Sequence, residues 1–404
     1  MATQLEIDIV GGGFSGLMQA YYLAEAGYKV RIYETDIRFG GLIGSVKREG
    51  FLIEQGPNAF IANTELERIS KKIKVPLYPK LPSAKKRFIY KNGEMSRWPI
   101  GLRESFGLFG FLASWKWRQK KYLPQKTESL KEWGDRCLGE TITDNLLEPA
   151  MQGVYASSAD KLNAHLIVSS LKKKSKVGRL KGSVAPKKGL QEWLDGVIDY
   201  LKSQDVEFIF EDYFSINSER PMILACGLES LKELAKQKKI NISDKILQTS
   251  SASLTSVFLG FNETPKFNPE GFGCLFPKDE KFNSLGVLFN QNIFSERVNS
   301  GSSETWILND ETKSFSEMTQ DELIAFVLSD RSKLSKGNEE PTQFSVHQWP
   351  HRIPLYDKAL LDFLETHDSQ QTLLIGNYLG DLGLSKILSK AQNNVKKIEG
   401  GFFG

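Results

Sequence analysis

Ile7-Asp8-Ile9-Val10-Gly11-Gly12-Gly13-Phe14-Ser15-Gly16 is the stretch from which the fold of this chain is read. The first four residues are mostly β-branched and stop at a glycine, the mark of a short buried parallel strand. Gly11, Gly13 and Gly16 form a G-x-G-x-x-G. The pattern from Leu17 to Ala26 is helical, and Gly27 is placed to end that helix. Tyr28 to Tyr33 reads as a second strand, with Glu34 directly after it. The three glycines serve different ends. Gly11 allows a tight turn, Gly13 lets backbone approach a pyrophosphate, and Gly16 lets helix pack on strand. Phosphates then meet the N–H groups of Phe14, Ser15 and Gly16 at the positive end of the helix. Glu34 lies near the separation at which an acid accepts hydrogen bonds from an adenosine ribose.

Just beyond it, Arg38-Phe39-Gly40-Gly41-Leu42-Ile43-Gly44-Ser45 supplies a second glycine doublet. Gly40 and Gly41 let another backbone segment, with Leu42, come close to an extended cofactor, which favours FAD over NAD. The segment Gly11–Ser45 resembles the flavin-containing amine oxidase superfamily. Glu54-Gln55-Gly56-Pro57-Asn58-Ala59-Phe60 resembles its protoporphyrinogen oxidase branch. The likeness continues in order along the chain. It takes in Lys86–Gly93 with Trp98–Gly101, Glu148–Ala156, Gly271–Pro277, Leu285–Phe289, Trp349–Tyr356 and Leu374–Leu384. Asp381 stands where family members usually carry glycine.

The resemblance implies an α/β fold. An FAD-binding Rossmann-type domain of the glutathione reductase-like kind is interleaved with an α+β substrate domain and a helical, candidate membrane-binding segment. The expected division gives 1–78, 186–250 and 343–404 to the FAD domain. A helical substrate or membrane-facing part takes 79–185, and a substrate-binding sheet takes 251–342. The sheet is signalled by alternation in strands such as Ser256–Phe261. Gly189 to Phe214 reads as helix then strand, and Pro221–Cys226 as one more short strand.

The same resemblance implies oxidation of a porphyrinogen to a porphyrin, with hydride passing to flavin and O2 as final acceptor. Arg87 matches the arginine that binds a substrate propionate, although it also reads as a surface arginine beside Lys85 and Lys86. Asn58 matches a residue facing substrate near the flavin, and also reads as a polar turn residue after Gly56-Pro57. Further implied cofactor contacts are Gly56, Pro57 and Asn58, Phe214 at the end of a strand, and Gly376, Asn377, Leu382, Gly383 and Leu384. His347 and His351 read as packing or surface residues. An amine oxidase, a carotenoid-type desaturase or a non-catalytic flavin- or tetrapyrrole-binding protein would share this scaffold.

Bulk properties agree with a large-core enzyme. The chain has 404 residues, 40% of them hydrophobic, and a net charge of only +4. Its basic residues are spread widely, unlike those of a nucleic-acid-binding protein. Cys137, Cys226 and Cys274 are isolated, and the 4 His are not in ligand spacing, so neither a disulfide framework nor a metal site is expected. The N-terminus does not read as a signal peptide, and no run reaches the roughly 18 to 20 apolar residues of a spanning helix. A cytoplasmic enzyme is expected, with a candidate peripheral contact through Trp98 to Lys121. There aromatic and basic residues interleave, as on a monotopic membrane face or in a helical domain whose aromatics line the pocket.

Overall fold

β1 (Glu6–Val10) and β2 (Lys29–Glu34) pair in parallel, joined by the helix Phe14–Glu25. The computed structural model describes residues 5–97, 122–172, 178–215, 219–311, 313–337, 339–367, 372–380 and 382–403. The segment 98–121, with its proposed membrane face, and Asp381 lie outside the described residues.

The first sheet is all parallel, in the order β10 (Glu207–Phe210), β2, β1, β11 (Met222–Leu224), β17 (Leu373–Leu374). Its helices come from distant parts of the chain. The helix Leu384–Glu399 packs against Phe14–Glu25, and so does the helix Leu190–Lys202. Ile7, Ile9, Leu17, Trp193, Leu194 and Ile387 share that core. Trp193 is fully buried, and its indole N–H donates to Ser70 Oγ at 2.8 Å, so no polar atom of the ring is left unpaired.

The second sheet has seven strands in the order β16 (Gln343–Pro354), β12 (Ser251–Phe261), β15 (Ser302–Asn309), β14 (Gly286–Phe289), β13 (Gly273–Leu275), β7 (Phe88–Lys91), β8 (Glu94–Arg97). β12 lacks a solvent face, being buried continuously from Ser256 to Phe261. The helix Gln320–Ser335 packs against it, and Phe258 meets the Phe51 ring with centroids 5.7 Å apart. Alternation in sequence therefore marks a strand here, but the expected exposed face is covered by β4 (Phe51–Glu54).

Two small sheets bridge the large ones: β3 (Ser45–Arg48) with β4, and β5 (Phe60–Ile61), β9 (Ser183–Ala185), β6 (Tyr78–Pro79). Three placements differ from the sequence reading. Gln343–Pro354 pairs antiparallel with β12, so the chain rejoins the first sheet only at Leu373 rather than at Gln343. The hairpin β7–β8 lies within the stretch expected to be helical. Phe214 is in the short helical turn Tyr213–Ser215, beyond the end of β10 at Phe210. Among the described residues no helix is long and apolar enough to cross a membrane.

Candidate functional site

The glycine turn is as tight as its sequence demands. Gly11 has φ +108°, and a Cβ on it would lie 2.8 Å from the backbone of Ala225 and Cys226 at the end of β11. A Cβ on Gly16 would sit 1.9 Å from Gly11 O, so helix and strand touch there without side chains. Gly13 is different. Its nearest neighbour to an added Cβ is Gly41 Cα at 3.7 Å, an ordinary van der Waals contact, so the protein alone does not exclude a side chain there. Gly13 caps the helix Phe14–Glu25 without a side-chain hydrogen bond, leaving the first N–H groups free for an anion. Glu34 is fixed by three backbone donors: Gly12 N at 2.9 Å, Thr35 N at 2.8 Å and Asp36 N at 3.0 Å. An ionised carboxylate has about four acceptor positions, so capacity remains for a ribose hydroxyl. Gly13 and Gly40 form a parallel bridge, and Gly40 N donates to Gly12 O at 2.9 Å. Arg38 clamps the doublet, donating to Ile43 O at 2.7 Å and Gly41 O at 2.9 Å.

The loop from Gln55 to Asn58 runs against this doublet. Gln55 N donates to Gly44 O at 2.8 Å, and a Cβ on Gly56 would strike Leu42 O at 2.1 Å. Two elements hold the loop. Gln55 O accepts from Trp349 Nε1 at 2.9 Å and from Ser256 Oγ at 3.4 Å. Beneath it lies a buried ion pair of which the amino-acid pattern shows no sign. Arg297 bonds Glu54, with the two side chains 3% and 2% exposed, and also donates to Asn58 O at 3.3 Å. Glu54 further accepts from Ser45 Oγ at 2.5 Å and Leu190 N at 3.1 Å. Asn58 is thus positioned through its backbone, and its neighbour Pro57 is half-buried.

The closing motif is built on β17. Ile375 N donates to Leu224 O at 2.9 Å, placing Gly376 and Asn377 just past the sheet edge that also carries Gly11. The buried Tyr356 hydroxyl donates to Asn377 O, so Trp349 and Tyr356 pin two separate cofactor-side loops. Gly383 is the cap of the helix Leu384–Glu399; like Gly13 it makes no side-chain cap bond, and unlike Gly13 it has open space around it. Leu382 and Leu384 flank it.

Arg87 is separate from this group. It is exposed, and its guanidinium lies 4.9 Å from the centre of the Phe272 ring. Phe214, displaced from the strand end, packs in a T-shaped contact with Tyr213 at 5.1 Å and lies under the Lys239 ammonium. His347 packs against the cofactor-side loop. It is half-buried, stacks on Trp349 at 6.2 Å, and its Nε2 is 2.9 Å from Gln55 Nε2. Burial and the nearby Arg38 charge push its pKa below the ordinary value, which favours the neutral ring, able to accept the Gln55 amide N–H at Nε2. His351 is exposed, with φ +52°. Among the described residues there is no cluster able to hold a metal ion, and the three cysteines are not in disulfides. The open glycine cradle, two uncapped helix N-termini and a fixed carboxylate at the strand end suit a dinucleotide.

The sequence pattern of the flavin-containing amine oxidoreductases matches residues 14–211 and 217–374. The chain belongs to this family. It is an FAD-dependent oxidoreductase. It is 24% identical over 466 residues to protoporphyrinogen oxidase 2 (chloroplastic/mitochondrial) of Arabidopsis thaliana, covering 95% of this chain and 91% of that protein. It is 21% identical to coproporphyrinogen III oxidase of Bacillus subtilis, with 87% of each covered. In fold it matches a provisionally named protoporphyrinogen oxidase from Exiguobacterium sp. 255-15, with a TM-score of 0.80, 16% identity and 99% of both chains covered.

Proposed function

We propose that this chain oxidises a porphyrinogen to a porphyrin by successive two-electron steps. Arg87 carries the reading. It is a cation beside an apolar ring, with no carboxylate partner among the described residues, next to β7 of the second sheet and apart from the nucleotide turn. Such an arrangement suits a largely apolar substrate with carboxylates at its edge. The porphyrinogen-oxidising relatives support the same substrate class.

FAD, when bound, supplies the hydride acceptor and the route for electrons to dioxygen. The protein residues do the rest. The Phe14, Ser15 and Gly16 amides would hold the pyrophosphate, and Glu34 would hold the ribose. Arg38, Trp349 and the Glu54–Arg297 pair fix the two loops that border the cofactor. Arg87 orients the substrate edge by pairing with a propionate. A charge-assisted contact of this kind is worth about 1.5 to 3 kcal/mol. Arg87→Ala should therefore weaken porphyrinogen binding about ten- to a hundredfold while leaving flavin content unchanged. Aerobic assays following porphyrin fluorescence read both the wild-type activity and this loss. No porphyrin from the wild type overturns the proposal, and an unchanged KM in Arg87→Ala returns that residue to the surface.

A further inference from the structure

Phe272 has a second cation beside it. The Lys80 ammonium is 5.7 Å from the centre of the ring on which the Arg87 guanidinium rests at 4.9 Å. Phe272 is itself held by backbone bonds on both sides, from its N–H to Lys86 O at 2.8 Å and from Phe289 N to its own carbonyl at 3.1 Å. Lys80 is equally well placed by its backbone. Its N–H donates to Ser183 O at 3.1 Å at the end of β6, in the small sheet whose other edge strand, β5, begins just after Asn58 and Ala59. One bridging sheet therefore runs from the cofactor-side loop to this lysine.

The electrostatics are unusual for a structural lysine. Lys80 is half-buried, and its charged neighbours carry the same sign: Arg87 and Lys85. Its ammonium donates to Ala84 O at 3.2 Å, and among the described residues it has no carboxylate partner. Burial, together with the Arg87 and Lys85 charges, lowers its pKa. Lys232, also half-buried, shows the ordinary arrangement, meeting the Glu229 carboxylate at 3.1 Å. Desolvating a charge beside others of the same sign is unfavourable unless an anion arrives. The Phe272 ring beside both cations offers apolar surface for a hydrocarbon skeleton.

We infer that Lys80 and Arg87 together form a two-cation site around Phe272 that takes two carboxylates on one edge of an apolar ligand. The inference rests on the proposed reaction, and it narrows the substrate to a tetrapyrrole with neighbouring acid side chains. Lys80 is assigned as a specificity-determining residue that touches substrate away from the reacting carbon. It should act on binding and leave the rate of the bound complex unchanged.

The test is an equilibrium titration of purified holoenzyme with protoporphyrin, which carries two free propionates, and with its dimethyl ester, followed by quenching of protein fluorescence. The wild type should bind the diacid about ten- to a hundredfold more tightly than the diester. Lys80→Ala should lose most of one carboxylate's share of that preference, Lys80→Arg should retain it, and the diester should bind all three proteins alike. In steady-state oxidation, Lys80→Ala should raise KM for the diacid porphyrinogen and leave kcat unchanged. Equal diacid affinity in the wild type and Lys80→Ala overturns the site, as does a wild type indifferent to esterification. Oxidation with a Lys80-independent KM sinks the site and keeps the reaction. Lys80-dependent diacid binding in a protein that never oxidises porphyrinogen sinks the reaction and keeps the site.

Discussion

Replacing Arg297 by Met asks whether a buried ion pair supports the loop that carries Gly56, Pro57 and Asn58. The Arg297 and Glu54 side chains are 3% and 2% exposed, so neither charge is solvated. Deleting one partner of such a pair leaves an uncompensated charge and costs about 3 to 5 kcal/mol. Glu54 keeps two other donors, Ser45 Oγ and Leu190 N, which puts the expected loss near the lower end. The bond to Asn58 O at 3.3 Å is lost as well, adding about 1 kcal/mol. A total of about 4 kcal/mol is a large share of the roughly 5 to 15 kcal/mol that typically holds a protein folded. Urea unfolding followed by circular dichroism should show this loss, and flavin fluorescence should report earlier release of the cofactor. Glu54→Gln combined with Arg297→Met removes the stranded charge, keeps an amide oxygen to accept from Leu190 N and turns an amide N–H toward Ser45 Oγ, so it should recover most of the stability. If Arg297→Met unfolds within about 0.5 kcal/mol of wild type, the range of ordinary surface changes, the pair is not buried and the reasoning fails.

Other expectations concern the cofactor side and pH. Gly13→Val places its Cβ in ordinary contact with Gly41 Cα at 3.7 Å and no closer to any protein atom, so the variant should fold yet purify colourless. Gly16→Ala would drive a methyl to 1.9 Å from Gly11 O, so it should lose folded yield as well as flavin; equal yields of both variants would contradict this distinction. Glu34→Gln removes the charge facing the ribose while the backbone turn retains an acceptor. FAD affinity should fall about tenfold, as for one hydrogen bond of about 1.4 kcal/mol, measured by titration of apoprotein. His347 has its pKa lowered in the fold, so between that value and the unfolded value of about 6.5 the unfolded chain binds more protons. Its contribution is fully present above about pH 6.5 and is lost as pH falls toward the folded-state pKa. Melting temperatures from pH 7.5 to 5.5 should decline less in His347→Gln than in wild type, and parallel profiles would exclude this titration.

The nucleotide turn was legible because every part of it is local. Strand, glycines, helix and Glu34 lie within one continuous run, and two of the glycines answer close contacts found in space: Gly11 against Ala225, Gly16 against Gly11. Trp349 and Tyr356 were legible as a motif, though only the structure shows what they do, which is to hold Gln55 and Asn377 by their carbonyls. Arg297 was not legible. It lies 243 residues from Glu54 in sequence, and an arginine in a polar loop gives no hint of burial. Lys80 was hidden for the same reason, since its neighbour Phe272 arrives from another part of the chain. β16 joins the second sheet, although 343–404 is expected in the FAD domain, because pairing with β12 is a tertiary choice that local sequence does not encode. Phe214 is displaced because Asp212 opens a helical turn there, accepting from Phe214 N at 3.2 Å and ending the extended run early.

Oxidation of a porphyrinogen is tested most directly in a single anaerobic mixing experiment. Purified holoenzyme is mixed, without oxygen, with protoporphyrinogen in one vessel and with a primary amine in another, and the visible spectrum is followed in both. The predicted result is bleaching of the flavin band by porphyrinogen, in proportion to the tetrapyrrole oxidised, with return of the band on admitting air and no bleaching by the amine. A flavin that stays oxidised under porphyrinogen, or that is bleached by the amine instead, would contradict the proposed activity.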